Sequence, residues 1–265
     1  MKSYSTNLTD SQWNIVDNLL NDKRPRKYEI RNMFDGIFYL LKTGCQWRML
    51  PLSFSPWQTV YYYFTVWKHK GTIERIHEHL RDKVRIKAGK DKSPSLGLID
   101  SQSVKTTRSG GICRGIDGGK KIKGRKRHII VDTLGLLIAV VVHAENEHDS
   151  KSAPKVIALL KERFSRLIKI IADGGYRGEL IENTKTNFGL ILEVILRKDD
   201  SPKFQVIPKR WVVERTFAWF ESYRRLSKDF EFLTDTSETM IRLAMIKLML
   251  NRLILFFKQF LNKNS

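Results

Sequence analysis

The chain has 265 residues, 42% of them hydrophobic, which supports a packed core in one large domain or two small ones. Lysine and arginine number 48 against 28 aspartates and glutamates, a formal net charge of +20 that attracts polyanions and favours nucleic acid as the partner, unless the chain is merely basic throughout. Two cysteines and short apolar runs argue against a disulfide framework and a membrane span, so we expect a cytoplasmic protein with reduced thiols.

The first 92 residues place apolar side chains at helical spacing. Thr9 and Gln12 stand at the spacing of a capping box, which marks the start of a first helix. Further helices are predicted over residues 28–43 and 73–86, with another helix between them. Residues 1–92 are therefore expected to form an all-helical amino-terminal domain.

The third of these helices offers a candidate DNA-binding surface. A helix-turn-helix-like module in this region would present Gln58 and Thr59 to bases or to the phosphate backbone. Aromatic residues surround both positions, and the alternative role for most of them is to fill a hydrophobic core. The two polar residues are therefore the candidates of this domain for contacting DNA.

From residue 96 the pattern changes to short apolar runs that indicate buried strands. Strands are predicted over residues 96–104, 128–131, 136–143, 167–172 and 190–196. Helices are predicted over residues 152–164, 178–186, 211–224 and 237–261. An antiparallel meander followed by alternating helices and strands builds a mixed sheet covered by helices. We therefore predict an α/β (α+β) domain over residues 93–265, whose five strands follow the order of the ribonuclease-H-like fold.

Three acidic residues occupy distinct places in this scheme. Asp100 lies in the first strand, Asp173 follows the fourth strand, and Glu214 lies in a later helix. In the ribonuclease-H-like order the first and fourth strands are neighbours, so the two aspartates would lie side by side. On a helical wheel, Val213 and Phe217 form an apolar stripe beside Glu214, which would aim this carboxylate across the strand ends.

Carboxylates that meet at one point are suited to divalent metal ions. Mg²⁺ or Mn²⁺ prefers hard oxygen ligands. Two such ions about 3.5–4 Å apart activate an attacking oxygen and stabilise a leaving one. The mutual repulsion of the carboxylates is offset only when metal binds. The three acids therefore predict a two-metal site for phosphodiester chemistry.

Each acid also has an ordinary structural interpretation. An aspartate at a strand end before two glycines, as at Asp173, is a common turn residue. Glu214 could simply form an ion pair with Arg210, four residues earlier on the same helix, and Asp100 could lie in a loop. The order of the elements and the positive charge favour the metal site over these alternatives.

A basic segment lies between the first two predicted strands. Residues 105–127 hold nine lysines and arginines against one aspartate, without periodicity. A solvated loop is the simplest interpretation, but a loop that leaves the strand of Asp100 would lie where substrate phosphates pass. The candidate DNA contacts in this segment are Lys105, Lys120, Lys121, Lys123, Arg125, Lys126 and Arg127.

Motifs spread over nearly the whole chain resemble one known family, the DDE-type transposases of bacterial insertion sequences, in the group of insertion sequences four and five. In the carboxyl-terminal region they are GLIDSQSVK at 97–105, GGKKIKGRKRH at 118–128, IADGGYRG at 171–178 and RWVVERTFAW at 210–219. In the amino-terminal region they are LTDSQW at 8–13 and GCQWRMLP at 44–51. The long basic motif makes the resemblance specific.

By this resemblance the protein would be a DNA transposase, with Asp100, Asp173 and Glu214 as its catalytic and metal-binding triad for two Mg²⁺ or Mn²⁺ ions. It would bind the terminal inverted repeats of its element, cleave a strand, and join the freed 3′-hydroxyl to target DNA. The resemblance thus implies double-stranded DNA as the partner and a homodimer in the active complex.

The wider family carries a signature of Tyr, Arg, Glu and Lys around its glutamate. Arg210 and Glu214 match this signature, which makes Arg210 a candidate DNA contact. Ile207 and Glu221 stand at the Tyr and Lys positions, so the phosphate contacts attached to those two positions need other residues. The candidates to replace them are Arg224, Arg225 and Lys228.

Two other functions stay open at this point. One is a ribonuclease-H-like nuclease that lacks strand transfer, and the other is a DNA-binding protein whose catalysis has decayed. The intact triad argues against the second, and a strand-transfer assay separates the first from a transposase.

Overall fold

The protein divides into two compact units. Its structure, a computed structural model, describes residues 3–22, 24–108, 110–118, 121–160, 163–196 and 210–263. The helical unit comprises Met1–Lys90, Ser222–Ser227 and Thr239–Ser265, and the sheet unit comprises Asp91–Glu221 and Lys228–Glu238. The predicted division at residue 92 into a DNA-binding and a catalytic domain stays a prediction, and the compact units differ from it in residues 91–92, 222–227 and 239–265.

The helical unit contains four amino-terminal helices and most of a long carboxyl-terminal helix. They are α1 (Asp10–Leu20), α2 (Ile30–Thr43), α3 (Trp57–His69), α4 (Thr72–Lys87) and α8 (Thr234–Lys263). The predicted capping box is present at α1, where the Gln12 backbone nitrogen lies 3.3 Å from the Thr9 hydroxyl. Helix α2 ends at Gly44, whose φ of +73° lies in the left-handed region that favours glycine.

Aromatic side chains fill the core of the helical unit. Phe34 of α2 stacks on Trp67 of α3 with 4.4 Å between the ring centroids, and both rings are buried. Helix α8 joins α1 through a hydrogen bond of 2.8 Å from the Gln12 amide to Asn251. None of the helices in the described part of the chain, α8 included, combines the length and apolar character needed to cross a bilayer.

The sheet unit is built on one mixed sheet. Its strands are β1 (Leu96–Lys105), β2 (Gly115–Asp117), β3 (Ile122–Val131), β4 (Leu137–Ala144), β5 (Lys169–Ala172) and β6 (Ile191–Val194). The main order is β4, β3, β1, β5, β6, with β3 antiparallel to β1 and β4, and with β1, β5 and β6 parallel. This is the predicted ribonuclease-H-like order, so the fold class is confirmed. The short β2, which was not predicted, adds a sixth strand beside β3 among the described residues.

Helices pack on the two faces of this sheet. They are α5 (Asp149–Ile157), α6 (Leu180–Phe188) and α7 (Arg210–Glu221). Ile99 points to one face, where it belongs to an apolar cluster with Ile157 of α5. Leu98 and Asp100 stand on either side of Ile99 and point to the opposite face, where they line a cavity with Val213 of α7. Strand β1 therefore presents Asp100 to the face that α7 covers.

The second half of the basic segment is a strand. Because β3 begins at Ile122, the prediction of a loop over residues 105–127 was wrong for its last six residues. Arg125 and Arg127 point to the α7 face of the sheet and Lys126 to the other, and all three side chains are buried. Buried cations need partners, and those partners come from distant parts of the chain.

A buried carboxylate neutralises Arg125. Its Nη1 lies 3.2 Å from Asp229 Oδ1, and neither side chain has exposed surface. The guanidinium also donates hydrogen bonds to the carbonyl oxygens of Ile112, Glu231 (2.9 Å) and Phe232 (2.8 Å). Arg125 thus fixes the segment that precedes α8 against β3.

Replacing Arg125 by methionine should destabilise the protein strongly. The variant removes the direct ion-pair partner of the buried Asp229 carboxylate, which costs about 3–5 kcal/mol in the free energy of unfolding. Urea unfolding followed by circular dichroism measures this cost. The control is Arg166→Met, which removes an exposed ion pair with Asp91 and should cost about 1 kcal/mol or less. Equal unfolding midpoints for the two variants would contradict the role assigned to Arg125.

Candidate active site

Asp100 and Asp173 approach each other because two parallel strands pair. Strands β1 and β5 run side by side with Leu98 opposite Ile171, and two residues further along each strand come Asp100 and Asp173. Both aspartates line one small cavity beside α7. The predicted pairing of these strands is therefore present, and it brings two carboxylates to the same edge of the site.

Asp173 combines a turn contact with this position. Its Oδ1 accepts a hydrogen bond of 2.9 Å from the Gly175 backbone N–H, and so caps the short 3₁₀ turn over Gly174–Tyr176. The turn role offered as an alternative is thus real. It occupies one carboxylate oxygen and leaves Oδ2 for other partners.

Helix α7 holds Glu214 at the rim of the site. Val213, Phe217 and Phe220 are buried, whereas Glu214 and Ala218 are exposed. This is the distribution that the helical wheel predicts. The apolar stripe fixes α7 on the sheet, and Glu214 therefore stands beside the strand ends with a side chain that is 53% exposed.

Arg210 joins two of the three acids. Its Nη2 lies 3.3 Å from Asp173 Oδ2, and its Nε lies 3.1 Å from Glu214 Oε1. The ion pair between Arg210 and Glu214 that the sequence offered as an alternative is therefore present. It does not separate Glu214 from the site, however, because the same guanidinium also reaches Asp173.

Burial raises the pKa of Asp100 to about 7, from an ordinary value of 3.8. A hydrogen bond of 2.7 Å from the Ser101 backbone N–H lowers the pKa, while the negative charge of Asp173 raises it and the positive charge of Arg210 lowers it. In the metal-free protein the ionised form of Asp100 is therefore costly, because its carboxylate is poorly solvated and close to a like charge. A cation bound at this edge would remove much of that cost.

Asp149, the first residue of α5, is a fourth acid near the site. Its Oδ1 accepts a hydrogen bond of 2.8 Å from the Ser101 hydroxyl and lies 3.0 Å from the Lys126 Nζ. Its charge further raises the pKa of Asp100. The sequence analysis missed Asp149 because an aspartate at a helix start is common, and its link to the site depends on a pairing of β1 with β3 that local sequence does not reveal.

The donor atoms present suit a hard divalent cation. Asp100, Asp173 and Glu214 offer carboxylate oxygens, the ligands that Mg²⁺ and Mn²⁺ prefer. Within the described residues no three His, Cys, Asp or Glu side chains lie close enough together to hold a metal ion. Glu214 and Asp173 are instead paired with Arg210. The residues therefore fit a metal in chemistry, while in the described structure the guanidinium of Arg210 lies against Asp173 and Glu214 in place of a third carboxylate.

A second feature of the sheet unit is a basic cavity of about 400 Å³ at the end of β1. Its lining residues are Lys105, Thr106, Thr107, Arg108, Arg114, Lys121 and Lys123. All five cations are exposed. Three of them were predicted DNA contacts, whereas Arg108 and Arg114 were not singled out. Converging cations of this kind suit phosphate groups.

Four other predicted DNA contacts are buried in this structure. Arg125 and Arg127 are at most 1% exposed and Lys126 is 5% exposed, so phosphate groups cannot reach them in this fold. Arg225 is buried in the helical unit, where it donates a hydrogen bond of 3.2 Å to the Cys45 carbonyl oxygen. In this structure the four charges are buried among protein groups, and their contact with DNA stays a prediction that this burial does not support.

The remaining candidates keep their status as predictions. Arg224 and Gln58 are exposed, and Thr59 is partly exposed, so their side chains are available to a partner. Lys120 and Ile207 lie outside the described residues.

Residues 91–249 match the family model described as the transposase DDE domain. This match spans more than half of the chain and includes all three acids. The chain belongs to this family. Residues 8–77 also match the model of the putative transposase of the IS4/5 family, so the resemblance found in the motifs is confirmed. Enzymes of the DDE transposase family use divalent metal ions.

Individual relatives agree with this assignment. The putative transposase for insertion sequence element IS402 of Burkholderia cepacia is 29% identical over 129 residues, which cover 46% of this chain and 60% of that protein. The uncharacterized 16.2 kDa protein of insertion element IS402, from the same organism, is 28% identical over 113 residues, covering 39% of this chain and 76% of that protein. This DDE-family chain thus spans less than two thirds of the first relative's length.

Among solved structures, the Mos1 transposase paired-end complex with the left transposon end is similar, at 16% identity and a TM-score of 0.25. The similarity covers 78% of this chain and 77% of that one. The fold assignment rests on the strand order and not on this similarity.

Asp100→Asn should stabilise this DDE-family protein at high pH. Between pH about 4 and about 7 the folded protein holds a proton on Asp100 that the unfolded chain releases, so the free energy of unfolding falls as pH rises through this window. Asparagine is neutral at every pH, so the variant does not lose stability at this position as pH rises. In EDTA we expect the variant to exceed wild type by about 2–4 kcal/mol at pH 8, and by nothing near pH 4.

Urea unfolding at pH 4, 6 and 8 measures this difference. A stability difference that stays constant across the three pH values would show that Asp100 does not titrate in this window.

Proposed function

We propose that the protein is a DNA transposase that binds the terminal inverted repeats of its element and performs metal-dependent strand cleavage and strand transfer. The observation that carries the proposal is the position of Asp100 and Asp173 on neighbouring parallel strands, with Glu214 on the helix that packs across them. Family membership supports the same activity.

In this proposal Asp100, Asp173 and Glu214 hold two Mg²⁺ or Mn²⁺ ions. When bound, such ions activate an attacking oxygen and stabilise the leaving oxygen of a phosphodiester. The protein's own contribution is rigidity. Asp100 is fixed within β1 by the Ser101 N–H, Asp173 is fixed by its turn, and α7 holds Glu214 through its buried apolar stripe.

The same site would serve both chemical steps. Water supplies the attacking oxygen in strand cleavage, and the freed 3′-hydroxyl supplies it in the attack on target DNA. Because two ends of one element must be joined to the same target, we propose a homodimer in the active complex. Residues 93–265 would form the catalytic domain and residues 1–92 the DNA-binding domain.

DNA would be held at several surfaces. The basic cavity at the end of β1 would contact the phosphate backbone through its exposed cations. Arg224, Gln58 and Thr59 would contact DNA from the helical unit. Phosphate contacts dominate the affinity of such an interface and make it sensitive to salt.

Single changes in the triad should abolish cleavage. Asp100→Asn, Asp173→Asn and Glu214→Gln each remove one charged metal ligand, and we expect a loss of at least about a hundredfold in cleavage rate, with DNA affinity within about threefold of wild type. The substrate is a labelled duplex that carries the inverted repeats flanking the gene. If any one variant cleaved DNA at the wild-type rate, that residue would not be a metal ligand of the site.

A precleaved duplex end with a free 3′-hydroxyl tests strand transfer separately. Joining of this end to a target plasmid supports a transposase. Cleavage without joining would identify a nuclease, and DNA binding without either reaction at any metal concentration would identify a decayed enzyme.

Removing positive charges from the basic cavity should weaken DNA binding whatever the base sequence of the DNA. We expect the pair Lys121→Gln and Lys123→Gln to reduce the slope of log affinity against log salt by about 1–2. Fluorescence anisotropy between 50 and 300 mM KCl measures the slope. The matched control, Lys151→Gln with Lys185→Gln, removes the same charge from two exposed helix positions. Equal slopes for the two double variants would exclude the cavity from the interface.

A further inference from the structure

We infer that Arg210 holds Asp173 and Glu214 together in the absence of metal, and that metal displaces it from at least one of these carboxylates, which frees its guanidinium for a DNA phosphate. The inference rests on the proposed function, because it takes Asp173 and Glu214 as metal ligands. It concerns a different property, the order and coupling of metal and DNA binding.

The first argument is that Arg210 and a metal ion would compete for the same two carboxylates. The guanidinium contacts Asp173 Oδ2 at 3.3 Å and Glu214 Oε1 at 3.1 Å. The other oxygen of Asp173 accepts the Gly175 N–H. A divalent ion held by both carboxylates would therefore displace Arg210 from at least one of them, since two cations cannot share these oxygens without strong repulsion.

The second argument concerns what the displaced side chain does. An arginine keeps its charge at every accessible pH, so Arg210 cannot become neutral when metal arrives. Its side chain is 26% exposed and belongs to the first residue of α7, so it has solvent on one side. A planar guanidinium binds phosphate oxygens in the same two-pronged way as it binds carboxylates. A phosphate of DNA lying at the site is the natural new partner.

These steps make metal and DNA binding cooperative. Metal releases Arg210 for the phosphate, and a phosphate that holds Arg210 leaves the carboxylates open to metal. The coupling must be equal in both directions, because each ligand shifts the same equilibrium of one side chain. A plain structural ion pair within α7 would instead add a little helix stability and couple nothing.

The test uses Ca²⁺ as a non-reactive divalent ion and a 40-base-pair duplex. Isothermal titration gives the Ca²⁺ affinity without DNA, and fluorescence anisotropy gives the DNA affinity with and without saturating Ca²⁺ at constant ionic strength. The variants are Arg210→Gln and Arg210→Lys. The matched control is Arg177→Gln, which removes an equal charge from the guanidinium that lies over Gly174 beside the site.

For wild type we expect Ca²⁺ to raise DNA affinity about tenfold. Arg210→Gln should bind Ca²⁺ about five- to tenfold more tightly than wild type without DNA, and its DNA affinity should gain less than about twofold from Ca²⁺. Arg210→Lys, which keeps the charge without the fork, should fall between the two. Arg177→Gln should gain less than about twofold in Ca²⁺ affinity and keep the wild-type coupling.

Two results would overturn the inference. One is an Arg210→Gln variant that binds Ca²⁺ no more tightly than Arg177→Gln does, and the other is a variant that keeps the full tenfold coupling. Should Arg210→Gln fail to fold by circular dichroism, the lysine variant decides by the same criteria. Failure of the proposed function is a separate result, in which Asp100→Asn and Asp173→Asn bind Ca²⁺ as wild type does.

Discussion

The parallel pairing of β1 with β5 is the constraint on which the rest of the site depends. It sets Asp100 and Asp173 side by side, although the Asp100 carboxylate is poorly solvated and the two charges repel each other. A sheet with this strand order must either supply a cation at the ends of these strands or keep a carboxyl group protonated. The protein uses both means, through the guanidinium of Arg210 and through the raised pKa of Asp100. The electrostatic demand for a cation thus follows from the topology of the fold.

The positive charge of the chain is divided between its interior and its surface. In β3 and the residues before it, Lys121 and Lys123 reach the surface cavity, whereas Arg125 and Arg127 enter the interior. The buried pair of Arg125 with Asp229 gains strength from the low dielectric around it and pays for its desolvation with several hydrogen bonds. One basic motif therefore supports both the folding of the sheet and, in our proposal, the binding of DNA. Composition alone cannot separate these two uses.

The parts that local sequence could predict are those whose signal is periodic. The helical wheel correctly predicted that Phe217 is buried and that Glu214 is exposed. The alternation of helices and strands correctly predicted the order of the main strands. The first six residues of β3 escaped prediction, because their inward charges look like solvated ones until Asp229, about a hundred residues later, is brought against Arg125. Asp149 escaped for the same reason, since its contact with the Ser101 hydroxyl joins segments far apart in the chain. A local sequence pattern cannot predict a residue's role when that role depends on a partner far away in the chain.

Arg210 shows how one residue can satisfy two interpretations that seemed to compete. As the partner of Glu214 at four residues' distance it is an ordinary helix ion pair, and as the partner of Asp173 it belongs to the site. A lysine could neutralise either carboxylate, but it lacks the rigid fork that reaches both at once. A permanent, two-pronged cation suits a site that must stay folded without metal and must then release its carboxylates. Because a displaced guanidinium keeps its charge, the same side chain can balance the carboxylates when no metal is bound and can bind a backbone phosphate when metal is bound.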